Sequence, residues 1–84
     1  AKYHVDSVNF SKGDVLLLYS DGITETADEK FEQYGDDKLL TKLKSLVNLT
    51  PKEIALGILD DVIKFSKNGK YSDDMTLVVI KKVK

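Results

Sequence analysis

Apolar positions along the chain gather into patterned segments separated by polar ones. Tyr3, Val5, Val8 and Phe10 alternate loosely with polar neighbours, which predicts an edge strand; the turn formers Ser11-Lys12-Gly13-Asp14 follow. Val15-Leu16-Leu17-Leu18-Tyr19 is an unbroken apolar run, as expected of a strand covered on both faces, although periodicity alone also admits a helix. Asp21-Gly22 breaks that run, and Ile23 to Tyr34 is mixed and loop-like, with Phe31 and Tyr34 as its expected anchors. Leu39, Leu40, Leu43, Leu46 and Val47 then recur at helical spacing, predicting a helix over Asp37 to Val47 capped by Gly35 or Asp36.

Thr50-Pro51-Lys52-Glu53 is a stronger helix start, with Thr50 as N-cap, Pro51 at the first helical position and Glu53 completing a capping box. The helix it opens carries Ile54, Ala55, Ile58, Leu59, Val62 and Phe65 on one side. Glu53, Asp60, Lys64 and Lys67 lie on the other, with Asp60 and Lys64 spaced to pair. Asn68-Gly69 is the expected stop, and Met75 to Ile80 reads as a second buried strand before Lys81, Lys82 and Lys84 run into solvent. Strands with a helical pair between them predict an α/β (α+β) layer arrangement, an antiparallel sheet against two helices. Two helices cover only one side of a sheet, so strands apolar on both faces imply a second covering layer.

The chain has 84 residues, room for one small domain with a thin core. Its 13 basic and 14 acidic residues give a net charge of -1, and every basic residue is Lys. That excludes a polybasic nucleic-acid surface and an Arg fork for phosphate. With no Cys, thiol catalysis and thiolate metal sites are excluded, and a reducing, cytoplasmic setting fits best. No apolar run approaches the ~20 residues of a membrane span.

The candidate chemistry lies at the strand ends. Asp21 closes the first apolar strand, and Asp73-Asp74 open the last. If these strands are antiparallel neighbours, the carboxylates meet at one edge of the sheet; if parallel, a strand length of about 17 to 20 Å separates them. Gathered carboxylates repel unless a cation sits among them, and hard oxygen ligands favour Mg²⁺ or Mn²⁺ over Zn²⁺. Gly22 would let the backbone turn and bring a carbonyl close to the ion. The structural alternative is that Asp21-Gly22 is a hairpin turn and Asp73-Asp74 a loop end.

The run Leu16-Leu17-Leu18-Tyr19-Ser20-Asp21-Gly22-Ile23-Thr24-Glu25, then Phe31 and Tyr34-Gly35, then Ser72-Asp73-Asp74-Met75-Thr76-Leu77-Val78-Val79, resembles the C-terminal part of the metal-dependent PPM-type protein serine/threonine phosphatases. Within them it is most similar to the bacterial SpoIIE-like and RsbU-like branch, and the likeness spans Lys12 to Ile80. The resemblance implies an αββα sandwich with two Mn²⁺ or Mg²⁺ ions at the sheet edge, which activate water for attack on phosphoserine or phosphothreonine. By motif position Asp21 and Asp73 would be metal ligands, Gly22 the backbone companion of Asp21, and Asp74, at a place where the family has Asp or Asn, a further residue of the metal site. The implied substrate is a phosphorylated protein of the anti-sigma-factor antagonist type.

Residues 1–84 then form the C-terminal portion of one such domain, without the acidic motif and opposite sheet of its N-terminal half. The piece alone is expected to bind metal weakly, to be inactive, and to self-associate through its uncovered sheet face or by exchange. Two rivals stand beside this reading. A haloacid-dehalogenase-like phosphatase would need its nucleophilic Asp at Tyr19, which cannot form an acyl-phosphate. A non-enzymatic interaction module would use the two amphipathic helices to dock a partner. Tyr19 and Met75 are expected in the core, and His4, outside any motif, as a surface or packing residue.

Overall fold

The computed structural model describes residues 2–10, 13–67 and 75–83. The strands are β1 (Tyr3–Phe10), β2 (Gly13–Ser20) and β3 (Leu77–Val83), and the helices α1 (Asp21–Thr24), α2 (Gly35–Leu46) and α3 (Pro51–Ser66). The sheet order is β1-β2-β3 with both pairings antiparallel, an α+β fold. Ser11 and Lys12 of the expected first turn, the expected Asn68-Gly69 helix stop, and Asp73 and Asp74 lie outside the described residues.

The central strand is apolar throughout because its two faces meet different surroundings. Val15, Leu17 and Tyr19 point to the helical side and are buried with Ile23, Tyr34, Leu39, Leu43, Ile54, Ile58 and Val62. The register aligns Val5, Leu18 and Val78 in one row and Ser7, Leu16 and Ile80 in the next, both on the opposite face. There Val5 is 62% exposed and Ile80 55%. The expectation that helices cover only one side of the sheet therefore holds, and the other side is an apolar surface.

Thr50 caps α3 as its sequence requires. Its hydroxyl accepts from the Glu53 N–H at 3.2 Å while the Glu53 carboxylate accepts from the Thr50 N–H at 3.2 Å, which holds that carboxyl below its usual pKa. The expected Asp60–Lys64 pair forms across one exposed turn at 2.9 Å. Helix α2 begins earlier than the apolar spacing suggested, at Gly35, whose φ of 78° is accessible chiefly to glycine; a Cβ there would meet nothing within 4 Å, so conformation rather than space demands the residue. At Gly57 the reason is space: a Cβ would come within 2.8 Å of the Leu46 Cδ1, so the glycine lets α2 approach α3.

The segment between α1 and α2 is more ordered than its composition suggested. Ala27 and Gln33 form a β-bridge, and the Asp28 carboxylate accepts from the N–H groups of Lys30 and Glu32 at 2.8 and 3.0 Å. Of the two expected anchors, Tyr34 is buried, whereas Phe31 is 89% exposed. Phe31 sits at the turn with φ 66° and its N–H donates to the Asp28 carbonyl, and this backbone geometry carries its ring outward. Tyr34 instead donates its hydroxyl to Asp61 at 2.6 Å and meets Phe65 edge-on.

Two substitutions check this account. Leu43→Ala, which empties a fully buried site, should destabilise the chain by about 2 to 5 kcal/mol, against about 0.5 kcal/mol or less for Leu56→Ala at a half-exposed position, read by urea denaturation. Thr50→Ala should cost about 1 kcal/mol, and Thr50→Ser should keep most of the cap.

Candidate metal centre

The strand pairing that the sequence reading requires is the one observed. Strands β2 and β3 are antiparallel neighbours, with Tyr19 opposite Leu77, so the end of one strand adjoins the start of the other. Two hydrogen bonds extend the ladder beyond that pair. The Ser20 N–H donates to the Thr76 carbonyl at 3.0 Å, and the buried Ser20 hydroxyl oxygen accepts from the Thr76 N–H at 2.9 Å. A serine thus stands where the chain leaves the sheet, and its side chain takes up a backbone donor that would otherwise lose its partner.

Asp21 follows immediately and opens α1, so Asp21-Gly22 starts a helical turn rather than a hairpin. Its N–H donates to the Lys2 carbonyl at 3.0 Å, which ties it to the start of β1. Gly22 is buried, and its carbonyl accepts from the buried Thr26 hydroxyl at 2.8 Å, leaving one lone pair unused by that contact. The Met75 sulfur lies 3.8 Å from the same hydroxyl and packs against the core, as expected for that methionine.

His4, expected as a surface or packing residue, also reaches Asp21. It lies opposite Tyr19 across the β1–β2 ladder and packs on that ring at 5.5 Å between centroids. This places its Nε2 in hydrogen-bond contact with the Asp21 Oδ1. An ionised carboxylate only accepts, so Nε2 carries the proton, and this bond holds the Asp21 carboxyl below its usual pKa. A lone histidine 17 positions before the aspartate gives no local signal; only the hairpin register brings the two together.

Beside this pair, the Tyr19 hydroxyl reaches the Asp6 and Asp36 carboxylates at 2.9 and 3.2 Å, joining β1, β2 and α2. Burial, and then Asp6, push the phenol well above its usual pKa, so Tyr19 stays protonated and acts as a donor. Among the described residues, no group of three or more His, Asp or Glu side chains is gathered closely enough to hold a metal ion. The chemistry of the donors nevertheless suits a hard cation: a partly exposed carboxylate at a strand end, with no thiolate.

The sequence model of the family described as Stage II sporulation protein E (SpoIIE) matches residues 1–83. The chain belongs to the SpoIIE family. No curated protein and no solved structure matches it. This membership relates the chain to the PPM-type phosphatases, whose members generally use Mn²⁺ or Mg²⁺. No helix among the described residues of this SpoIIE-family chain is long and apolar enough to cross a membrane. A groove of about 610 Å³ lies between α2 and α3 and is lined by Tyr34, Lys38, Lys42, Asp61 and Lys64 among others, not by Asp21.

The His4–Asp21 bond predicts a titration. Because the folded-state pKa of Asp21 is depressed, its stabilising contribution is complete above the unfolded carboxylate value of about 3.9 and fades as pH falls through the lower folded value. Carbon-13 NMR of the Asp21 carboxyl should give a midpoint below the ordinary range, and His4→Ala should return it upward. An unchanged midpoint in that variant would refute the assigned cause.

Proposed function

We propose that this chain is the C-terminal portion, residues 1–84, of a metal-dependent protein serine/threonine phosphatase domain. Its reaction is hydrolysis of phosphoserine or phosphothreonine on a protein of the anti-sigma-factor antagonist type, in a cytoplasmic setting. The observation that carries the reading is the antiparallel junction of β2 and β3 at Ser20 and Thr76, taken with the family match. Asp74 is two peptide links from Thr76, a reach of at most about 7.6 Å between Cα atoms. The parallel arrangement that would have parted the two acidic motifs by a strand length is not the one observed.

In this reading Asp21 and Asp73 hold Mn²⁺ or Mg²⁺, with Gly22 and Asp74 beside them. Bound divalent ions would supply an activated water and neutralise charge on the phosphoryl oxygens. The chain's own contributions are positional. His4 orients the Asp21 carboxylate through its Oδ1, and the Ser20–Thr76 clamp holds the two strand ends in register. The groove between α2 and α3 supports the rival reading of a docking module, since it joins the Tyr34 and Phe65 rings to lysines and aspartates and requires no metal.

Phosphate release from a phosphorylated protein by the complete phosphatase domain should require Mn²⁺ or Mg²⁺. It should fall by at least about 100-fold in Asp21→Asn, a loss of roughly 2.7 kcal/mol of transition-state stabilisation. Activity that survives both chelation and Asp21→Asn would overturn the mechanism. The 84-residue chain alone should be inactive and should bind Mn²⁺ weakly in a paramagnetic titration. The docking reading predicts instead that the complete domain binds no Mn²⁺ at all.

A further inference from the structure

The two edges of the sheet differ. The β3 edge carries Lys81 and Lys82, and lysine on an edge strand discourages pairing with another chain. The β1 edge reads YHVDSVNF and holds no lysine and no proline over its 8 residues. Among the described residues no strand lies outside β1. Its backbone directions follow from the ladder. The Lys2 carbonyl accepts from Asp21, so Lys2, His4, Asp6 and Val8 direct their N–H and C=O groups toward β2. Those of Tyr3, Val5, Ser7 and Asn9 therefore point outward from the sheet.

We propose that the β1 edge pairs with the β1 edge of a second copy of this chain, antiparallel about a two-fold axis at Val5. This register joins outward-facing backbone groups in reciprocal pairs, Val5 with Val5 of the second copy and Tyr3 with Ser7 of the second copy, about six N–H···O bonds in all. On the helical face it sets His4 opposite Asp6 of the other copy twice, so that no two carboxylates face each other. On the open face it joins the rows Val5, Leu18 and Val78 of the two copies into one apolar stripe across the axis.

Other registers fit less well. An axis at Asp6 sets two carboxylates against each other, one at His4 opposes the two imidazoles, and one at Tyr3 opposes Lys2 to His4. An axis at Ser7 places Val5 against Asn9. Self-association is thereby assigned to a strand edge rather than to the open sheet face, and it holds whether or not the chain comes from a phosphatase.

Sedimentation of the 84-residue chain at about 0.1 mM, where an edge pair of micromolar Kd is mostly dimeric, should show a dimer. Val5→Pro should yield a monomer with unchanged circular dichroism, because the N–H it removes faces outward and proline is tolerated on edge strands. Ile80→Lys, on the open face away from the axis, should remain dimeric. The chain has no Cys, which permits a second test independent of the proline variant's folding. Val5→Cys should form an intermolecular disulfide on oxidation, since residues facing each other across the axis have Cα atoms about 5.5 Å apart. Ser7→Cys, about 14 Å from its symmetry mate, should not. A monomer at that concentration, a dimer broken by Ile80→Lys but not by Val5→Pro, or cross-linking at Ser7→Cys instead of Val5→Cys would overturn the proposal.

Discussion

The hydrogen-bonded position of β2 between β1 and β3 is the constraint on which the rest of the molecule depends. Its odd-numbered inward residues, Val15, Leu17 and Tyr19, form the floor on which α2 and α3 rest. Its two ladders fix, residue by residue, what stands beside each of its ends. A slip of one residue in either ladder would turn the apolar set away from the helices. It would also part His4 from Asp21 and Ser20 from Thr76. The packing of the core and the composition of the candidate site are therefore two consequences of one register.

At the Asp21 end, that register assembles polar groups that the core alone would not need. A buried serine closes the ladder, a buried threonine takes the Gly22 carbonyl, and a phenol joins carboxylates from β1 and α2. Buried polar atoms are costly without partners, and each of these has one; among the described residues no buried side-chain nitrogen or oxygen lacks a hydrogen bond. Such a network stiffens the strand end and holds one carboxylate, Asp21, partly exposed in a defined orientation.

The sheet is a half-finished layer in the physical sense. One face carries the helices, and the other presents Tyr3, Val5, Leu16, Val78 and Ile80 to solvent. Such a surface favours association. The two edges are not equal in this respect, because lysines stand on β3 and none stands on β1.

By itself the sequence determined the elements that depend on local chemistry. The Thr50 capping box, the Leu39 and Leu43 stripe and the apolar run of β2 were all legible, because capping and periodicity act within a few residues. The last strand was expected buried over Met75 to Ile80, but it runs Leu77–Val83, takes in Lys81 and Lys82, and leaves Val78 and Ile80 on the open face because no second layer covers it among the described residues. The sequence also identified Asp21 as the acid at a strand end, and the family motif around it. Only the tertiary structure decided that β2 and β3 run antiparallel side by side, that His4 meets Asp21, that Tyr19 serves Asp6 and Asp36, and that Phe31 faces outward while Tyr34 turns in. Those contacts join residues from 13 to 56 positions apart, or depend on a positive φ that composition does not announce. Strand pairing is settled by which long-range register buries the most apolar surface while leaving no backbone group unpaired, and that choice is made by the whole chain at once.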